Sequence, residues 1–482
     1  MIGISVDLNQ EAGPMGSKPP SPIGGHRHVA SQGPGHPALP KTMNLSSPEL
    51  FFKSPKLLIS CKMATLNFAL KNNTGSNTVY AYITGQALDN NNALFLLQSD
   101  GKTAYYPTSP SATGASLSAD CAIPLGASGS TTTITIPHLA GARLWFAQDS
   151  KLTFYLNPGP ALVEPSVSNQ SDPNYNLTWA FCEFTWNNDQ LYANLSYVDF
   201  VSMPIAMTLT NTAGTTQTVQ GLPANGLDLV CSALKEQNSK DSAGWDQLII
   251  QKNGVNLRAV SPNTGRTLNN SLFNNYYESY VDQVWSYYST NNILTVNTQA
   301  AAGDVTAKVA SDLLSFSVPG ISYTKPSTGD IFSNSSGSFA VSGNSTKDAI
   351  TARLAAAFNR STLLLNGSQP NGETVANYYK NSVTNHYSRI CHSVNIDTRG
   401  YAFPYDDVAP DNGADQSGSV YDGSPKLLTV TIGGGSSNSV KTSTVEENAT
   451  PVQQSVENGR KPSRFHELRK FVDKLSHRKS NT

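Results

Sequence analysis

From Met63 to about residue 223, apolar and polar positions alternate in short runs closed by Gly, Pro, Asn and Asp. That period of two is the pattern of strands buried on one face. It predicts strands at 63–70, 77–85, 93–98, 131–137, 143–146, 152–156, 177–186, 191–201 and 207–211, spaced as in an antiparallel sandwich or barrel. After Gly226 the period lengthens. Helices are expected over 227–235, 271–288, 346–359 and 374–382, the last two opening near Ser345 and Asn371. Strand-like pieces at 259–260, 293–296 and 338–341 lie between them, and a strand returns at 427–432. The expected fold is therefore mainly β with an α+β part: a β unit (63–225), a mixed α/β unit (226–385) and returning strands (386–436). A wide cleft between the first two is the default ligand site.

Both ends read differently. Residues 1–62 alternate Pro/Gly-rich and polar text that cannot bury enough apolar surface to offset chain entropy, so a disordered leader is expected, with Met63 as a second plausible start. Neither start is followed by the charged segment and apolar core of a secretory signal. Its three histidines, His26, His28 and His36, read as loop residues. Residues 437–482 form a polar tether ending in a basic segment where Phe465, Leu468, Phe471, Val472 and Leu475 fall at helical spacing. A short solvated helix is the favoured reading there; contact with an anionic membrane or a partner groove is the lesser one.

Composition narrows the classes. Of 482 residues only 14% are charged, too few for a helical bundle or coiled coil. The formal net charge of −1 argues against nucleic acid as a partner, and no apolar run approaches the roughly 18 residues of a membrane helix. The charge is segregated: residues 1–62 carry +3, residues 437–482 carry +4 and the middle carries −8. An acidic middle suits a neutral or cationic ligand better than a polyanion. Cys121, Cys182, Cys231 and Cys391 permit up to two disulfides without requiring any.

There is no phosphate-binding glycine loop, no Gly-x-Ser-x-Gly elbow and no His-Glu-x-x-His helix. His386 and His392 read as structural. The run Asp406-Asp407 with Asp411 and Asp415 lacks calcium-loop spacing and reads as a solvated acidic turn. Two other carboxylates stand in unusual company. On the 177–186 run, Glu183 shares a face with Trp179, Phe181 and Thr185, and on the 191–201 run Asp199 shares one with Leu195, Tyr197 and Val201. A carboxyl against aromatic surface loses solvation, which favours its protonated form and suits a general acid in glycoside cleavage, with a second carboxylate activating water. An edge-strand gatekeeper is the competing structural reading. If 187–189 is a tight three-residue turn, Glu183 opposes Ala193 and Asp199 lies six residues farther, roughly 20 Å away, so a longer loop or a bend is required.

The motifs Glu183-Phe184-Thr185 and Ser196-Tyr197-Val198-Asp199-Phe200-Val201, with sixteen residues from Glu to Asp, resemble the signature of glycoside hydrolase family 64. The likeness extends over most of 64–436, including Gly226-Leu227-Asp228 and the aromatic segment around Trp285. It implies a thaumatin-like fold and an endo-acting β-1,3-glucanase, monomeric and without metal or organic cofactor, working outside the cell or in the wall, with the cytoplasm as the alternative. By matching position Glu183 is the general acid and Asp199 the general base of an inverting reaction. Thr185 and Asn187 line the groove, and Tyr192 takes a stacking position where the family commonly has Trp; Trp179 is a second stacking candidate from its face. The competing functions are a glucan-binding protein without hydrolysis and an interaction protein acting through its basic tail.

Overall fold

The computed structural model describes residues 64–434. The expected leader with its histidines, the start at Met63 and the basic tail lie outside these residues. One sheet of five strands runs in the order Thr216–Val219, Ile205–Asn211, Pro425–Ile432, Leu66–Asn72, Thr131–Ile136. Its strands keep the alternation: Leu66, Phe68 and Leu70, then Ile134 and Ile136, then Leu428, Val430 and Ile432 are buried while their neighbours are not. The last strand is inserted between two early ones. It pairs in parallel with the first, Phe68 opposite Leu428, and antiparallel with Ile205–Asn211.

The larger sheet places Ser419–Asp422, Leu191–Leu195, Thr178–Trp186, Leu139–Gln148, Val79–Ala87, Ala93–Leu97 and Ala104–Tyr105 side by side, with Ile123–Pro124 added against Val79–Ala87. One of its faces packs on the five-stranded sheet, as the Phe68 and Phe184 rings show at 5.0 Å. Its central strands are nevertheless buried on both faces: on the other one Phe154 packs against Tyr82 and Trp145, and Phe200 and Arg258 pack against Trp179. The remaining elements form an α/β part. That part holds the Gly226–Asp241 helix, a five-stranded sheet from Leu294–Asn297 to Ser368–Gln369, and the helix Ser345–Arg360. The last helix starts where the Asn344 side chain accepts from the backbone N–H groups of Thr346 and Lys347. From Ala349 to Arg360 every residue is buried, so it is the hub of this half.

Several expected elements differ. The 374–382 segment is not a helix: it has one short turn, Val375–Asn377, and Tyr379 sits at φ +59, outside the helical region. The 338–341 piece is a turn, Gly337–Phe339, not a strand. The expected 271–288 helix forms only as Glu278–Tyr288, and the 386–436 region opens with a helix, His386–Val394, before its strands. All four core cysteines are buried, unpaired thiols.

Candidate active site

Backbone register builds the site. In the larger sheet Glu183 stands opposite Arg143 on one side and Asn194 on the other; Arg143 faces Thr84, and Asn194 faces Ser419. Five polar residues thus form one row across five strands. Flanking it are an aromatic row, Phe181, Trp145 and Tyr82, and a second polar–aromatic row, Thr185, Tyr192 and Tyr421. The connection after Trp186 is a four-residue loop, not three, because the Asn187 side-chain carbonyl accepts from the N–H groups of Asp189 and Gln190, both at 2.9 Å. The extra residue moves the partner of Glu183 from Ala193 to Asn194.

Glu183 is 18% exposed, at the floor of this face, and Arg143 holds it: the guanidinium Nε donates to Glu183 Oε1 at 3.2 Å. Arg143 Nη1 pairs with Glu164, and the guanidinium lies 4.8 Å from the centre of the Phe181 ring. Burial works against the Arg143 charge, but the carboxylates of Glu164, Glu183 and Asp199 outweigh it and hold the guanidinium above its ordinary pKa.

Asp199 is half-buried and reaches the same charge cluster because its strand does not run straight. Leu191–Leu195 ends, Ser196 bridges to Tyr401, and the chain bends through Val198 and Asp199 before Phe200 pairs with Val260. The Asp199 carbonyl accepts from the Ser261 N–H at 2.8 Å. The Phe200 ring then packs 5.8 Å from Phe181, two residues before Glu183 on the same face. The chain therefore does not continue as the straight strand on which a separation of roughly 20 Å is based.

The other expected binders divide. Thr185, two residues beyond Glu183 on the same face, accepts from the Gly141 N–H at 3.2 Å. Asn187 is half-buried and shapes the loop. Trp179 is 1% exposed; its indole N–H donates to the Asn174 carbonyl and its ring packs 4.8 Å from Phe200, so it is core and not a sugar platform. Tyr192, 6% exposed, is likewise covered, stacked against Tyr421 at 6.4 Å. Tyr421, 45% exposed, is the aromatic of that row which faces solvent. Sequence reasoning missed Arg143, Glu164 and Tyr421. A lone arginine heading the apolar run 143–147 was the readable signal for the first; the other two depend on long-range pairing.

The expected solvated acidic turn is divided: Asp411 is exposed, Asp407 and Asp415 are half-buried, and Asp406 is interior. Asp406 is buried, accepting from Arg360 Nη2 at 3.0 Å, and lies 2.9 Å from His392 Nε2. Asp415 pairs with Arg399 at 2.8 Å. His386 accepts from Arg389 Nε at 2.9 Å through its Nδ1. Among the described residues no three His, Cys, Asp or Glu are grouped to hold a metal ion.

Residues 64–432 match the family model for β-1,3-glucanases of glycoside hydrolase family 64. A glucan endo-1,3-β-glucosidase of Arthrobacter sp. (strain YCWD3) is 28% identical over 306 residues, 62% of this chain and 53% of that protein. One of Cellulosimicrobium cellulans is 29% identical over the same shares. The chain therefore spans about half the length of these relatives. Among solved structures, a laminaripentaose-producing β-1,3-glucanase in complex with laminaritetraose has a TM-score of 0.68 at 30% identity, over 76% of this chain and 98% of that one. A β-1,3-glucanase domain from Clostridium beijerinckii, 23% identical with a TM-score of 0.61 over the same shares, shares the fold.

Proposed function

The chain belongs to glycoside hydrolase family 64, and from that membership we propose that it is an endo-acting hydrolase of β-1,3-glucan, with Glu183 as general acid and Asp199 as general base of an inverting reaction. The observation that carries this reading is the convergence of the two carboxylates, sixteen residues apart in sequence, on the charge of Arg143. Glu183 gives its proton to the glycosidic oxygen as the bond to the anomeric carbon breaks. Asp199 takes a proton from the water that attacks that carbon from the opposite side. Thr185 and Asn187 flank the acid, and Tyr421 offers the exposed ring on which a glucosyl unit stacks. The acidic middle of the chain is compatible with a neutral polymer. The two-sheet sandwich with its long α/β excursion supports a thaumatin-like arrangement, and wall or extracellular glucan is the substrate this family reading points to.

The test is proton NMR of fresh products from linear β-1,3-glucan. Inversion of a β-linkage yields the α-anomer first; an initial β-anomer would refute inversion and leave hydrolysis standing. Glu183→Gln and Asp199→Asn should each lower turnover by about 10²-fold or more with unchanged unfolding temperature. Binding of insoluble glucan with no release of reducing ends would replace the enzyme by a glucan-binding protein.

A further inference from the structure

Arg143 raises a chemical problem for that reading. A general acid must hold its proton before the reaction, whereas a guanidinium at hydrogen-bond distance favours the carboxylate. Arg143 cannot easily swing away. It is clamped between Glu183 and Glu164, and its guanidinium lies over Phe181 at 4.8 Å and Trp145 at 5.5 Å. Glu164 is fixed in turn: its Oε1 accepts from Thr84 Oγ1 at 3.3 Å, and Thr84 Oγ1 accepts from Trp145 Nε1 at 3.0 Å. An unbroken set of contacts thus runs from a buried indole to Glu183. Glu164 is absent from the sequence motif and contributes no backbone to the sheet that carries Glu183; it follows the short strand Ala161–Val163.

We propose that Arg143 and Glu164 are a paired positioning device for the acid: Arg143 aims the Glu183 carboxyl, and Glu164 cancels the guanidinium charge so that Glu183 can carry its proton at working pH. This rests on the reading of Glu183 as general acid. Asp199 from the bent segment bears on the same guanidinium, the buried Cys182 thiol next along the strand feels the Glu183 charge, and Tyr192, one row away, faces Asp407 and Asp415. Apart from each other, Glu183 meets neutral Asn194 across the strands and Arg143 meets neutral Thr84. Removing the charge of Glu164 exposes Glu183 to an uncompensated cation, while removing that of Arg143 relieves it. The two substitutions therefore act in opposite directions, which loss of packing cannot do.

The experiment measures kcat/KM against pH for the full chain on laminarin. Glu164→Gln should move the alkaline limb to lower pH by about one unit. Arg143→Met should move it to higher pH, and Arg143→Lys should return the limb towards its native position while kcat stays low for want of the fork. Limbs that stay put, or move together, overturn the proposal. Carbon-13 NMR titration of the Glu183 carboxyl in an Asp199→Asn background reads the same opposite shifts where activity is too weak. Should an Arg143 variant fail to fold, Glu164→Gln, which keeps the side-chain shape, decides alone. Glu183→Gln is run in parallel. Retained hydrolysis there fells the acid assignment and this inference with it, whereas an inactive Glu183→Gln with unmoved limbs fells this inference only.

Discussion

Two buried histidines of one helix, His386 and His392, are driven in opposite directions by what surrounds them. Burial pushes His386 down to about 4, helped by the Arg389 charge and opposed by the Ser382 carbonyl. Burial also works against a charge on His392, but Asp406 at 2.9 Å and the Thr398 carbonyl at 3.0 Å outweigh it, so His392 is raised above its ordinary value. The linkage signs follow. The stability His392 contributes is complete below about pH 6.5 and is lost as pH rises through its raised folded value. That from neutral His386 is complete above about 6.5 and is lost as pH falls towards 4. Unfolding temperature measured against pH should therefore change shape selectively: His392→Gln flattens the alkaline decline and His386→Gln the decline towards acid. Neither histidine touches Glu183, so both variants should keep the native pH limbs of hydrolysis.

On the strand Thr178–Trp186, residues two apart share a face but not an environment. Trp179 lies under Phe200 and Arg258, while Glu183, four residues on along the same face, is partly exposed. Trp179→Ala should accordingly cost about 3–5 kcal/mol of stability by denaturant unfolding. Tyr421→Ala, on an edge strand, should leave stability nearly unchanged and weaken glucan binding several-fold, read as a raised KM. The same contrast marks what the sequence made legible. Alternation located the strands of the β half and the face of Glu183, because one-sided burial imposes a period of two. It does not say which residues on that face a second layer covers, so Trp179 and Tyr192 read as exposed platforms from the sequence although both are buried. The residues of 374–382 carry helix-like spacing, but Tyr379 is held at φ +59 with its N–H donating to the Arg360 carbonyl, a contact no local pattern encodes. The helix His386–Val394 opens where the Asn385 side chain accepts from the Ser388 N–H.

At the scale of the fold, the strand Pro425–Ile432 binds the first strand to Ile205–Asn211, with every second residue buried from Leu428 on. Ending the chain at residue 436 should preserve fold and hydrolysis, which would dispose of the basic tail as the working part. Ending it at 424 removes the middle of a sheet and should abolish soluble, cooperatively unfolding protein, as circular dichroism and reducing-end assays would show. The partners Phe68 and Leu428 are 360 residues apart. At a synthesis rate of roughly 5–20 residues per second, the opening strand leaves the ribosome about 20–70 s before the segment that must lie beside it exists. Throughout that interval it has an unpaired edge, open to wrong neighbours. Completion of this sheet thus waits until nearly all of the described fold has been synthesised, and its yield in a cell depends on what shelters the waiting strand.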